Sequence, residues 1–208
     1  QAAYGEVGEK RSHPYKEKGN KYTHGERVAA LAVRLRQLLF PDDTGFDGIL
    51  TAAAWLHDIR NGAEDHAALG AARARELLAP YCSGEETEQI CGIIAVHDAR
   101  KPGDASVPDI VKLHQDADHL DHFGTFDIWA LAMYTIGNNQ TINDALEYLQ
   151  GGWHKDNAHW RTVLHFGLSR RIFDDKTAFV KQFTERFAAE CAGGIWHEAA
   201  LLQAAPQG

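Results

Sequence analysis

Apolar residues recur three and four positions apart along nearly the whole chain, a helical rather than an alternating spacing, and this predicts an all-α protein. The first helix is predicted over about 23–39, with Val28, Leu31, Leu35 and Leu38 on one face, Thr23 as N-cap and Pro41-Asp42-Asp43 ending it. A second, over about 47–59, is apolar almost all round (Ile49, Leu50, Ala52, Ala53, Ala54, Trp55, Leu56), the mark of a buried helix, and Gly62 marks the turn after it. Further helices are predicted near 65–79, 86–97 and 107–123, the last with Pro108 in its first turn and Gly124 at its end. An apolar stretch over 126–136 follows. After the loop signals Asn138-Asn139-Gln140 and Gly151-Gly152, helices are predicted near 157–173 and 175–191. The 208 residues show no internal repeat or low-complexity linker, so one domain is expected: a flexible polar segment over 1–19, a helical domain over 20–195 and a tail over 196–208.

Composition narrows the function classes. The net charge of -8, from 21 Lys and Arg against 29 Asp and Glu, repels the backbone of long nucleic acids. It leaves room for small anions, because a metal ion and a few local cations can reverse the field in one cleft. Three cysteines (Cys82, Cys91, Cys191) with no CxxC spacing indicate neither a disulfide framework nor a thiolate zinc site. With no signal-peptide pattern and no apolar run of membrane length, a soluble, cytoplasmic protein with no membrane partner is expected.

The chemistry concentrates in histidine and aspartate. His57-Asp58 closes the apolar second helix, and a buried carboxylate needs a partner charge, hydrogen bonds or a metal. Adjacent helical positions lie about 100° apart, so both side chains can reach one ion at the helix end, although a pair that satisfies itself fits the dipeptide as well. His24 begins the first amphipathic helix, and Asp118 interrupts another apolar one in Gln115-Asp116-Ala117-Asp118-His119-Leu120-Asp121. Together the four supply two imidazoles and two carboxylates, a set suited to one divalent ion of Mn, Fe, Co, Ni, Mg or Zn. Asp116 and Asp118 lie about 200° apart and cannot share that ion. His97 ends an apolar helix, where it suits either a site role or the C-terminal dipole. Asp65-His66 is expected to open the third helix with Asp65 as cap, and His114 shares a face with Asp118. His13, His122, His154, His159, His165 and His197 are expected at the surface or in packing. Arg27, one turn from His24, and Arg60, directly after the HD pair, are candidate phosphate contacts, with Arg100-Lys101 as weaker ones. Trp55, Phe123, Phe126, Trp129 and Tyr134 can stack a base, though core packing accounts for aromatics more cheaply.

This order of a lone His, then HD, then a distant Asp resembles the HD-domain metal-dependent phosphohydrolase superfamily. The likeness is carried by His24-Gly25-Glu26-Arg27-Val28, Ala54-Trp55-Leu56-His57-Asp58-Ile59 and Asp116-Ala117-Asp118-His119-Leu120-Asp121, and more weakly by the stretch from Ser169 to Glu190. Two departures stand out: Arg60 where many members have Gly, and His119 where Arg or Lys is frequent. The resemblance implies a helical bundle around a metal held by His24, His57, Asp58 and Asp118, the last chosen over Asp116 by motif register. It implies hydrolysis of a phosphate ester or anhydride on a nucleotide or similar small molecule. Asp58 or Asp118 would orient or deprotonate the nucleophile, Arg27 and Arg60 would steady the phosphate, and His97 would act as acid or phosphate contact. Binuclear members carry further histidines, for which His66 and His97 are the candidates. His66 follows Asp58 by only eight positions, so one metal is expected. Activity is then expected to fall below about pH 6, as protons compete for the histidine ligands. A homodimer is compatible with this picture. The alternatives are a di-iron oxygenase of the same fold and a non-catalytic nucleotide-sensing module with a structural metal.

Overall fold

A computed structural model describes residues 2–204, apart from the side chains at 2, 154–156 and 204; His154 and the last four residues of the 196–208 tail lie outside the described residues. The elements are α1 (Ala2–Val7), α2 (Asn20–Leu39), α3 (Phe46–Leu56), α4 (His66–Leu78), α5 (Gly84–Ala95), α6 (Asp109–Asp121), α7 (Thr125–Gly137) and α8 (Ile142–Glu147). A π turn (Tyr148–Gly152) then leads into α9 (Trp153–Thr162), followed by α10 (Gly167–Cys191) and α11 (Glu198–Ala204). No strand occurs among the described residues, and none of their helices is long and apolar enough to cross a membrane.

α2, α3 and α6 form the centre. Val28, Ala32 and Leu35 of α2, Leu50 and Ala54 of α3, and Leu113, Ala117 and Leu120 of α6 make one buried cluster, to which α10 adds Phe173. A second cluster packs α3 against α4 and α5 through Ala53, Leu56, Ala71, Ala74, Ile90 and Ile94. The polar residues left inside these packed helices are those of the candidate site.

Several expectations are corrected. α2 begins at Asn20, behind Gly19 in the left-handed region at φ 74°; Thr23 lies inside the first turn and its hydroxyl donates to carbonyls of that turn rather than capping. Asp65 stands at the N-cap of α4 without a side-chain capping bond. The pattern over 157–173 is two helices, and 175–191 is the later part of the long α10. The cause is tertiary: the buried Asp116 carboxylate accepts the backbone N–H groups of His165 (2.9 Å) and Phe166 (3.1 Å), holding the chain out of helix where Val163 and Leu164 turn inward. Segment 1–19 forms α1 and a strap held by polar contacts that composition conceals. Val7 is buried, Arg73 donates to Glu6 at 2.6 and 3.1 Å, Lys10 donates to the Ile59 carbonyl at 3.2 Å, and Ser12 and Asn20 exchange hydrogen bonds.

Candidate metal centre

His24, His57, Asp58 and Asp118 come together where α2 begins and where α3 and α6 end. Gly25 permits this: a β-carbon there would stand 2.9 Å from the Ala54 carbonyl oxygen, so only glycine lets α2 lie this close to α3 beside His24 and His57. His24 Nε2 lies 3.0 Å from Asp118 Oδ1 and 3.9 Å from Asp58 Oδ2; His57 Nε2 lies 3.5 Å from Asp58 Oδ2 and 3.6 Å from Asp118 Oδ1. Donors sharing one ion at bonds of about 2.1 Å sit roughly 3–4 Å apart, so the spacing fits a cation at the common point.

The tautomers fit as well. His24 donates through Nδ1 to Asp121 Oδ2 (2.8 Å), His57 through Nδ1 to the Ala54 carbonyl (2.8 Å) and His97 through Nδ1 to the Ile94 carbonyl (2.8 Å). Each bond turns Nε2 inward, the arrangement in which an outer partner fixes a metal-binding imidazole. The Nε2 atoms of His24 and His57 are buried and make no hydrogen bond among the described residues. His57 Nε2 has no partner and His24 Nε2 has only the Asp118 carboxylate beside it, so two inward imidazole nitrogens next to two carboxylates fit a divalent ion, which would replace any proton on His24 Nε2.

Charge is concentrated and nearly balanced. Burial opposes ionisation of Asp58 and Asp118, yet His57 with Lys21, and His57 with His122, His24 and Arg100, hold their carboxyls well below the usual range. Burial holds the His57 pKa down at about 4. At His24 burial also acts downward but is overridden by Asp118 and Asp121, which keep it at about 9. Asp121 is held at about 2 against its burial by His24 and Arg27.

Lys21 donates to Asp58 Oδ2 and Arg100 Nη2 to Asp118 Oδ2. Arg27 forms a two-pronged pair with Asp121, with both bonds at 2.8 Å, and lies 3.9 Å over the Phe126 ring. Arg60 is turned elsewhere, 3.6 Å from Glu6 of α1, and lines no part of the cavity beside His24. His97 is buried, with its ring 5.0 Å from that of His57 and its Nε2 3.3 Å from His66 Nε2. Ligand atoms of Asp58, His66 and His97 lie within 4.8 Å of one another, as do those of His24, Asp118 and His122. His122 therefore stands at the site although its side chain is 56% exposed. His114 is fully buried behind His57, its ring 5.2 Å away.

Lys21 and Asp121 escape a reading of the sequence, though each sits three residues from a ligand on the same helix face, His24 and Asp118 respectively. That spacing is the signal that could have found them.

The sequence matches no family model and no curated protein. Solved structures do resemble it. An HD-superfamily hydrolase from Bacillus thuringiensis superposes with a TM-score of 0.65 at 21% identity, over 92% of this chain and 97% of that one. A predicted HD superfamily hydrolase from an uncultured Thermotogales bacterium gives 0.57 at 23% identity, over 81% and 79%. This chain has the HD-superfamily fold. Bacillus subtilis YpgQ, in complex with ADP, shares that HD fold with a TM-score of 0.58 at 21% identity, over 79% of this chain and 82% of its own. Within the HD fold of this chain, the histidine and aspartate cluster occupies the meeting point of α2, α3 and α6.

Proposed function

We propose that the protein is a divalent-metal-dependent phosphohydrolase acting on a small phosphate ester or anhydride, foremost a nucleotide. One observation carries the reading: the inward Nε2 atoms of His24 and His57 face two ionised carboxylates with three cationic side chains at the rim. His24, His57, Asp58 and Asp118 would hold the ion. When bound, a divalent ion polarises a phosphoryl oxygen and acidifies water. Lys21, Arg27 and Arg100 would orient the phosphate and stabilise the charge it develops. The part first given to Arg60 passes to Lys21 and Arg100. Asp58, whose Oδ1 accepts from Asn61 at 3.2 Å, would orient and deprotonate the attacking water, with the His66–His97 pair beside it to take the proton onward. The shared HD fold of YpgQ in complex with ADP supports a nucleotide as substrate.

The test is release of phosphate, pyrophosphate or nucleoside product from a substrate panel by metal-stripped protein supplied with Mn, Fe, Mg, Co, Ni or Zn. Metal-dependent turnover absent from Asp118→Ala is the expected outcome, and no turnover with any metal overturns the proposal. The Asp58, His66 and His97 cluster favours a second reading in one respect, the number of ions, because those three residues could hold a further cation. The oxygenase alternative needs those same ligands, and an iron-dependent optical spectrum that responds to oxygen would identify it.

A further inference from the structure

The cavity beside the metal centre is small, about 110 Å³, and its lining is dominated by charge: Lys16, Lys21, Arg27 and Asp121 among others. That is room for a phosphate, well short of the roughly 300–1,000 Å³ that organic ligands occupy. A second cavity of about 440 Å³ adjoins it, and the two share Lys16 and Ala130. Along α7, Phe126, Trp129 and Met133 line the first cavity, while Asp127, Leu131 and Tyr134 line the second. These are neighbouring stripes of one helix, and Ala130 stands on the ridge between them, where a methyl group is the whole side chain.

The second cavity is walled by Tyr15, Tyr134 and Tyr148. Tyr15 and Tyr134 meet edge to face at 5.3 Å, and Tyr134 remains 43% exposed, so core packing does not account for it. The side-chain amide of Gln140, also in the lining, makes no hydrogen bond among the described residues and offers both a donor and an acceptor. Lys16, common to both cavities, has no ion pair or side-chain hydrogen bond among the described residues; its burial, followed by the nearby Lys21, lowers its pKa. A half-buried cation with no anion in ion-pair contact lies between a phosphate-sized pocket and an aromatic one.

Resting on the phosphohydrolase reading, we infer that the tyrosine-lined cavity is the subsite for the nucleobase of a nucleotide whose phosphate chain passes Ala130 and is gripped by Lys16 on its way to the metal centre. The tyrosine rings stack the planar base, Gln140 meets its hydrogen-bonding edge, and the smallness of residue 130 keeps the passage open.

Calorimetric binding of two non-hydrolysable ligands in the presence of Mn²⁺ tests this: α,β-methylene-ADP, and the methyl monoester of methylenediphosphonate, which carries the same charged groups without the nucleoside. Wild-type protein is expected to bind the nucleotide analogue about tenfold more tightly or better, the increment one stacked base brings. Ala130→Phe, which fills the passage, and Tyr134→Ala, which removes a wall at an exposed position, should each erase that preference. If Ala130→Phe does not fold, Tyr134→Ala decides. The inference is overturned if the wild type shows no preference, or if the preference survives in the variants that fold. Failure of the underlying phosphohydrolase reading looks different: the wild type then releases no phosphate from any substrate and binds neither ligand in a metal-dependent way, and the subsite falls with it.

Discussion

Replacing Gly25 with alanine tests whether close helix approach builds the centre. The new β-carbon would stand 2.9 Å from Ala54 O and 3.4 Å from Trp55 Cα, both backbone atoms that cannot swing aside. Ordinary contact begins near 3.4 Å, so α2 and α3 must part by about 0.5 Å at this point. His24 adjoins residue 25, and His57 and Asp58 lie one turn beyond Ala54, so the parting reaches the ligand set almost undiminished. Metal–ligand distances tolerate only about 0.2 Å, and mis-set ligands cost roughly 10–100-fold in affinity. Stability should suffer less, because about 1–3 kcal/mol of overpacking is offset by about 1 kcal/mol of helix propensity. Gly48→Ala is the control: it lies in α3, and its β-carbon would meet nothing within 4 Å. Calorimetric Mn²⁺ titration and urea unfolding of the three proteins should show metal affinity reduced at least tenfold in Gly25→Ala alone. Unchanged affinity in a folded Gly25→Ala would refute the reasoning.

Other predictions follow from the buried polar network. Asp116→Ala strands two backbone N–H groups and should destabilise the fold by about 2–4 kcal/mol in urea unfolding, while each folded molecule still binds metal; a loss below about 0.5 kcal/mol contradicts this. Metal-free protein should be most stable near pH 6.5, as followed by thermal melting across pH. His57, lowered to about 4, takes up a proton on unfolding, so its contribution is lost as pH falls from 6.5 through 4; His24, raised to about 9, contributes below 6.5 and loses this as pH rises through 9. Each limb is worth at most about 3.4 kcal/mol, and a flat profile would show that these shifts are absent. Arg100→Ala should lower kcat/KM by about 10²-fold yet tighten metal binding, since the guanidinium that pairs with Asp118 is gone; weaker metal binding would show that Arg100 supports the ligand instead.

Helical periodicity made the all-α class legible, because burial of one face is written directly into residue spacing. What stayed hidden depends on contacts between distant segments. The break between α9 and α10 is imposed by Asp116 from α6, and no local residue there announces it. Arg60 adjoins the HD pair in sequence, yet its side chain follows Glu6 of a helix that composition does not predict, whereas Arg100 reaches Asp118 from a loop eighteen residues away. Histidines divide in the same manner. His122 reads as an ordinary surface residue but stands one helical turn beyond Asp118, 3.7 Å from its carboxylate, while His119 donates through Nε2 to the Trp160 carbonyl at 3.1 Å, away from the cluster.

Metal content tests the central claim most directly. Metal-stripped wild-type, Asp118→Ala and His97→Ala proteins, equilibrated with Mn²⁺ and freed of excess by dialysis, can be assayed for bound ion per chain by elemental analysis, with circular dichroism to establish the fold. The account predicts bound ion in the wild type and its loss in a folded Asp118→Ala, with His97→Ala retaining one ion whether or not a second occupies the Asp58, His66 and His97 cluster. A wild type that binds no divalent ion, or a folded Asp118→Ala that binds as much as the wild type, would contradict it.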